Sequence, residues 1–153
     1  MPSHCAVRTL TRPEPLKLGD AMKGYLLDTC TLISMFRGQN GVREHIQAVG
    51  RKNCWVSEIS IAELYFGLAK GADKQRMLSD IQNTERLFKI LPAAPAFREY
   101  GEIRYALEHQ GRRIDQFDLL IGATALHSNL TVVTSNIKHF ERIEGLTIEN
   151  WAE

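Results

Sequence analysis

From Lys23 onward, short apolar runs alternate with longer amphipathic segments, and this alternation constrains the fold more than any other feature. Gly24 to Leu27 reads as a buried strand ending at Asp28, and Thr31 to Phe36 as the helix that follows. Helical periodicity resumes over Val42 to Val49, and Cys54 to Val56 predicts a short second strand. Ser60 to Lys70 predicts a helix, with Gly71 in the usual position after its end. Asp73 to Phe88 and Ala96 to Gln110 predict two longer helices flanking a short strand at Lys89 to Leu91. Asp115 to Ser128 reads as a strongly apolar helix, Leu130 to Thr134 as a strand, and Leu146 to Glu149 as a final strand. Such alternation predicts an α/β sandwich around a mainly parallel sheet. In a sheet of that kind ligands bind at the carboxyl ends of strands, where loops lead into helix N-termini.

A chain of 153 residues fits a single domain, and its 44% apolar and 24% charged content excludes the disordered and membrane classes. Cys5, Cys30 and Cys54 are odd in number and show no CxxC spacing, so neither a disulfide framework nor a zinc knuckle is expected. A reducing compartment fits, and with no signal-peptide core or membrane-length apolar run the expected location is the cytoplasm. The net charge of +1 argues against nucleic-acid binding by bulk charge. Were a nucleic acid the substrate, the basic residues serving it would have to be local, and Arg112, Arg113, Lys138, His139 and Arg142 are candidates, each also readable as ordinary solvated surface.

Three acids and one amide stand at strand-to-helix junctions. Asp28 follows Tyr25-Leu26-Leu27; its bland reading is a helix N-cap. Glu63 follows the second strand, and Ser60 with Glu63 has the spacing of a capping box, while Gly67 one turn on would leave room beside a working carboxylate. Asp118 sits against an apolar helix, where a carboxylate needs a partner or a metal to offset desolvation; Gly122 shares its face, and Asp115 reads as the cap of that helix in preference to an acid supporting the site from behind. Asn136 follows the strand ending at Thr134; it reads as a cap or as a carbonyl able to hold a metal-bound water. Crowded carboxylates repel, and a divalent cation is the usual remedy; all-oxygen ligands favour magnesium or manganese over zinc.

Four segments in order carry a resemblance: Tyr-Leu-Leu-Asp-Thr at 25 to 29, Ile-Ser-Ile-Ala-Glu-Leu-Tyr-Phe-Gly-Leu at 59 to 68, Asp-Leu-Leu-Ile-Gly-Ala-Thr-Ala-Leu at 118 to 126, and Val-Val-Thr-Ser-Asn with the following His-Phe at 132 to 140. With the closing Gly-Leu-Thr-Ile-Glu-Asn-Trp at 145 to 151, the chain from Lys23 to Trp151 resembles PIN-domain ribonucleases, and within them the VapC-type toxins of toxin–antitoxin pairs. The resemblance implies a three-layer α/β/α sandwich, endoribonuclease cleavage of RNA phosphodiester bonds, a divalent metal (Mg2+, with Mn2+ an alternative), homodimerisation and a partner antitoxin. By position it makes Asp28 and Asp118 direct metal ligands, has Glu63 complete the acidic triad, and places Asn136 where many members have a fourth acid. Asn136 lowers the site charge by one, so a second metal is expected only with help from RNA phosphate. A metal held there would activate a water and stabilise charge on the phosphate, with Glu63 and Asp118 both candidates to accept the proton. The resemblance also points to the helices at Ala48 to Lys70 and Asp73 to Phe88 as the surface for an acidic or amphipathic antitoxin segment.

Two alternatives compete. Asp-based phosphoryl transfer would want a second acid two positions after Asp28, where Cys30 stands. A catalytically inactive PIN-like RNA-binding module is the non-enzymatic alternative, and acids at all three positions argue against it. Residues 1–21 differ from the rest: they carry Pro2, Pro13 and Pro15 without periodicity and read as a flexible leader, so the nuclease domain is set at 22–153 and an internal start at Met22 is expected. Intact-mass measurement of native protein should give a product beginning at Met22; a mass that includes the leader contradicts that expectation.

Overall fold

Strand β1 (Tyr25–Leu27) is buried along its whole length and takes the centre of a five-stranded sheet, as a run apolar on both faces must. The computed structural model describes residues 23–152; the leader at 1–21 and the expected start at Met22 lie outside the described residues. Strands β2 (Cys54–Ser57), β3 (Lys89–Leu91), β4 (Thr131–Val133) and β5 (Ile148–Glu149) complete the sheet in the order β3-β2-β1-β4-β5, every pairing parallel.

Helices α1 (Thr29–Phe36), α2 (Val42–Val49), α3 (Glu58–Lys70), α4 (Lys74–Leu87), α5 (Phe97–His109), α6 (Gln116–Ser128) and α7 (Ile137–Phe140) connect the strands. Side-chain alternation along the strands builds two cores. Tyr25, Leu27, Val56 and Val133 face one layer, with Leu32, Ile46, Leu64 and Ile81 from α1 to α4. Leu26 and Val132 face the other, with Leu107, Ile121, Ala125 and Phe140 from α5 to α7. The expected three-layer sandwich is thus present.

Strand order explains the division. The chain steps outward from β1 to β3, then returns to the far side of β1 for β4, so crossovers of one hand must place later helices on the opposite face. The element expectations hold within one or two residues, and two of the differences are instructive. Helix α3 begins at Glu58, because Ser57 caps it by accepting from the Ile59 N–H at 3.0 Å. The stretch from Ala48 to Lys70 is not one helical surface: α2 ends at Val49, and a 3-10 turn and β2 intervene before α3.

Gly122 in α6 has a packing role. A Cβ there would fall on Cδ1 of the buried Ile143, with Phe140 and Leu146 beyond it, so the bare backbone lets the segment after β4 lie against α6. Gly122→Ala should therefore destabilise the protein by about 1–3 kcal/mol through overpacking. Urea denaturation checks this; an unchanged midpoint would show that the contact yields freely.

Candidate active site

The reversal of strand order leaves a crevice between the carboxyl ends of β1 and β4, the place where open parallel sheets bind ligands. The ladder runs one residue past β1: the Asp28 N–H donates to the Val133 carbonyl at 2.9 Å, which fixes Asp28 at the crevice floor. Asp28 stands at the N-cap position of α1, yet its side chain makes no capping bond to that helix. Its Oδ2 instead accepts from Thr134 Oγ1 at 2.8 Å and from the Cys30 thiol at 3.5 Å. The carboxyl is 4% exposed. Burial pushes its pKa above the ordinary carboxylate value and the Asp118 charge adds to that, while Thr134, the Thr29 backbone N–H and Cys30 pull the other way.

Glu63 is likewise free of capping. With Ser57 as N-cap, Ser60 falls inside α3, fully buried and with its Oγ unpartnered among the described residues, so the Ser60–Glu63 capping box does not form. Thr29 Oγ1 donates to Glu63 Oε1 at 2.7 Å, linking the first turn of α1 to α3. Burial raises the Glu63 pKa, Thr29 opposes the rise, and the charges of Asp28, Asp118 and Asp115 add to it. Gly67 serves a different purpose from the expected one: it faces the Met77 methyl of α4 and lines a groove with Ile33 and Phe36.

Asp115 caps α6 as expected, accepting from the N–H groups of Phe117 at 3.0 Å and Asp118 at 3.2 Å. That leaves the Asp118 side chain, one turn into the helix, to face the crevice residues. Its Oδ2 accepts from Asn136 Nδ2 at 3.1 Å and lies 2.7 Å from His139 Nδ1. Asn136 stands at the N-cap position of α7 but makes no side-chain cap; its backbone N–H donates to Thr134 Oγ1 at 2.9 Å. The side chain predicted to offer a carbonyl therefore turns its amide toward Asp118.

Asp28, Glu63, Asp118 and Asn136 thus stand at one end of the sheet, joined by two residues that sequence reasoning left out, Thr29 and Thr134, and by His139, for which it gave another role. Thr29 and Thr134 each donate to an acid, a role that a hydroxyl next to a strand end does not advertise. His139 was legible only as a basic residue, though its spacing of three from Asn136 on one helical turn put both on the same face. Arg142, another basic candidate, donates to the Arg113 carbonyl at 2.7 Å and so ties the end of the α7 segment to the loop before α6.

The donor set suits a hard cation. Glu63 Oε2 and Asp118 Oδ1 carry no hydrogen bond among the described residues, and no Lys or Arg there pairs with Asp28, Glu63 or Asp118. Among the described residues no three His, Cys, Asp or Glu side chains stand close enough together to hold a metal ion, although Asp28 and Glu63 both sense the charge of Asp118. Oxygen donors, with Asp28 and Glu63 raised in proton affinity and no described lysine or arginine paired to them, are what a magnesium- or manganese-type ion neutralises.

Comparison with known proteins identifies the family. The PIN domain family model matches residues 25–146. Ribonuclease VapC2 of Rickettsia felis is 33% identical over 130 residues, covering 83% of this chain and 97% of the relative. The tRNA(fMet)-specific endonuclease VapC of Shigella flexneri is 32% identical over 133 residues, covering 86% and 100%. Among solved structures, DNA-bound VapBC from Salmonella typhimurium superimposes with a TM-score of 0.78 at 29% identity, covering 84% of this chain and 98% of that one. With the acids at the β1–β4 crevice and the family model spanning nearly the whole described chain, this protein belongs to the PIN-domain family.

Proposed function

We infer that this chain is an endoribonuclease of the VapC type, the toxin of a toxin–antitoxin pair, cutting RNA phosphodiester bonds at the crevice formed by Asp28, Glu63 and Asp118. The observation that carries this reading is the freedom of Asp28 and Glu63 from capping: both stand near helix starts, yet their carboxylates take hydroxyl donors from Thr134 and Thr29 and stay in the crevice.

Asp28, Glu63 and Asp118 are the residues that would hold a divalent cation, magnesium or manganese. Such an ion supplies electrophilic stabilisation of the phosphate oxygens and lowers the pKa of a water. The protein's own part is to orient and to move a proton. Thr134 and Thr29 hold Asp28 and Glu63 by one oxygen each. Glu63, half-buried and with its pKa raised above the ordinary carboxylate value, is the better placed of the two candidate bases to take a proton from the attacking water; Asp118 is engaged by two donors, Asn136 and His139, against one on Glu63.

The partner is an antitoxin segment with apolar and acidic character. Helices α3 and α4 expose Tyr65, Phe66 and Leu78 beside Lys70, Lys74 and Arg76, and a groove of about 440 Å3 runs between α1 and these helices. Phe97, Tyr105 and Phe117, exposed on α5 and α6, suit a second copy of the chain, so the working form is a homodimer. No described helix is long and apolar enough to cross a membrane, and the place of action is the cytoplasm, where RNA is met.

Incubating the protein with a mixed RNA pool should give discrete cuts with magnesium and none after chelation; cleavage indifferent to chelation would overturn the reading. Asp118→Asn should abolish cleavage and leave the fold intact, whereas full activity would remove Asp118 from the site. The acids also set a pH dependence. With the folded pKa values of Asp28 and Glu63 raised, the folded state holds more protons than the unfolded one above the ordinary values of 3.8 and 4.5. Metal-free protein should therefore lose stability as pH rises from that range through the raised values. Thermal denaturation should show magnesium restoring stability at neutral pH, and Asp118→Asn raising the metal-free midpoint.

A further inference from the structure

We propose that His139 is a positioning residue for Asp118, holding its carboxylate so that Oδ1 alone is presented to the crevice. The inference rests on the reading of Asp118 as part of a nuclease site and adds a residue to it. Three observations carry it. His139 Nδ1 lies 2.7 Å from Asp118 Oδ2, a distance typical of a charge-assisted hydrogen bond. The same oxygen accepts from Asn136 Nδ2 at 3.1 Å, and Asp118 Oδ1 has no partner among the described residues. Asp118 is also the more enclosed partner, its side chain 13% exposed against 40% for the imidazole.

Asp118 as a carboxylate can only accept, so for the 2.7 Å contact to be a hydrogen bond Nδ1 carries the hydrogen; Asn136 Nδ2 lies 2.9 Å from the same nitrogen and 3.1 Å from Oδ2, and with Nδ1 a donor its amide hydrogen is directed to the oxygen. A carboxylate gripped at Oδ2 by two donors cannot rotate to offer both oxygens, and it is presented through a single one. Thr29 on Glu63 Oε1 and Thr134 on Asp28 Oδ2 follow the same pattern of one engaged oxygen for each acid. His139 reaches Asp118 because α7 packs on α6 through Phe140 and Ile143 against Gly122. Together Asn136 and His139 bring donors to Asp118 where a fourth acid would have brought charge.

The test compares wild-type protein with His139→Ala and His139→Asn, the latter restoring an N–H close to the position of Nδ1. Manganese binding followed by electron paramagnetic resonance should weaken about tenfold or more in His139→Ala and return to within about threefold of wild type in His139→Asn, as for other residues that orient a ligand. Circular dichroism and thermal midpoints should stay unchanged in both. In metal-free wild type at pH 8, nitrogen NMR should place the imidazole proton on Nδ1. Wild-type affinity in His139→Ala, failure of His139→Asn to recover, or a proton on Nε2 would each overturn the proposal. Wild-type protein that neither binds manganese nor cuts RNA would instead overturn the nuclease reading itself.

Discussion

Three carboxylates held in one partly buried crevice, with no lysine or arginine paired to them among the described residues, form the constraint around which this protein is arranged. Placed close in a medium less polar than water, such groups resist ionising together. A fold that keeps them there must hold each one against both desolvation and its neighbours. The sheet supplies the rigid part: β1 is buried on both sides, and its ladder to β4 continues into the Asp28 backbone, so the most buried acid has little freedom to withdraw.

The remaining support comes from hydrogen-bond donors. Thr134, Thr29, Asn136 and His139 each engage a carboxylate oxygen, and Thr134 also accepts the Asn136 backbone N–H, joining Asp28 to the loop that reaches Asp118. The hydroxyl and amide donors favour the ionised form without cancelling its charge, as salt bridges would. The negative potential survives for a cation to use. The same network links four separate stretches of chain, from α1, α3, α6 and the turn after β4.

Much of the architecture was legible in the sequence, because it depends on periodicities local to each element. The apolar runs at Tyr25–Leu27 and Thr131–Val133 and the helical stripes between them lead to a parallel sheet with two helical layers. The acids could be named for the same reason: each follows a strand end or sits in an otherwise apolar helix. Less legible was whatever depends on which strands become neighbours. Thr134 meets Asp28 across 106 residues and Thr29 meets Glu63 across 34, and neither hydroxyl differs in sequence from a routine turn residue. Ser60 misled because its spacing to Glu63 mimics a cap, whereas Ser57, three residues earlier, takes that place and Ser60 is drawn into the core. Gly67 and Gly122 looked like clearances beside carboxylates; Gly67 instead faces the Met77 methyl, at a distance where a Cβ would make ordinary contact, and the missing side chain of Gly122 accommodates Ile143.

The central claim is that Asp28, Glu63 and Asp118 act together on one divalent ion. Anomalous diffraction from crystals soaked in manganese addresses it most directly. The account predicts a manganese peak in the β1–β4 crevice within coordination distance of oxygens from all three acids. A well-occupied peak elsewhere on the molecule, with the crevice empty, would contradict it.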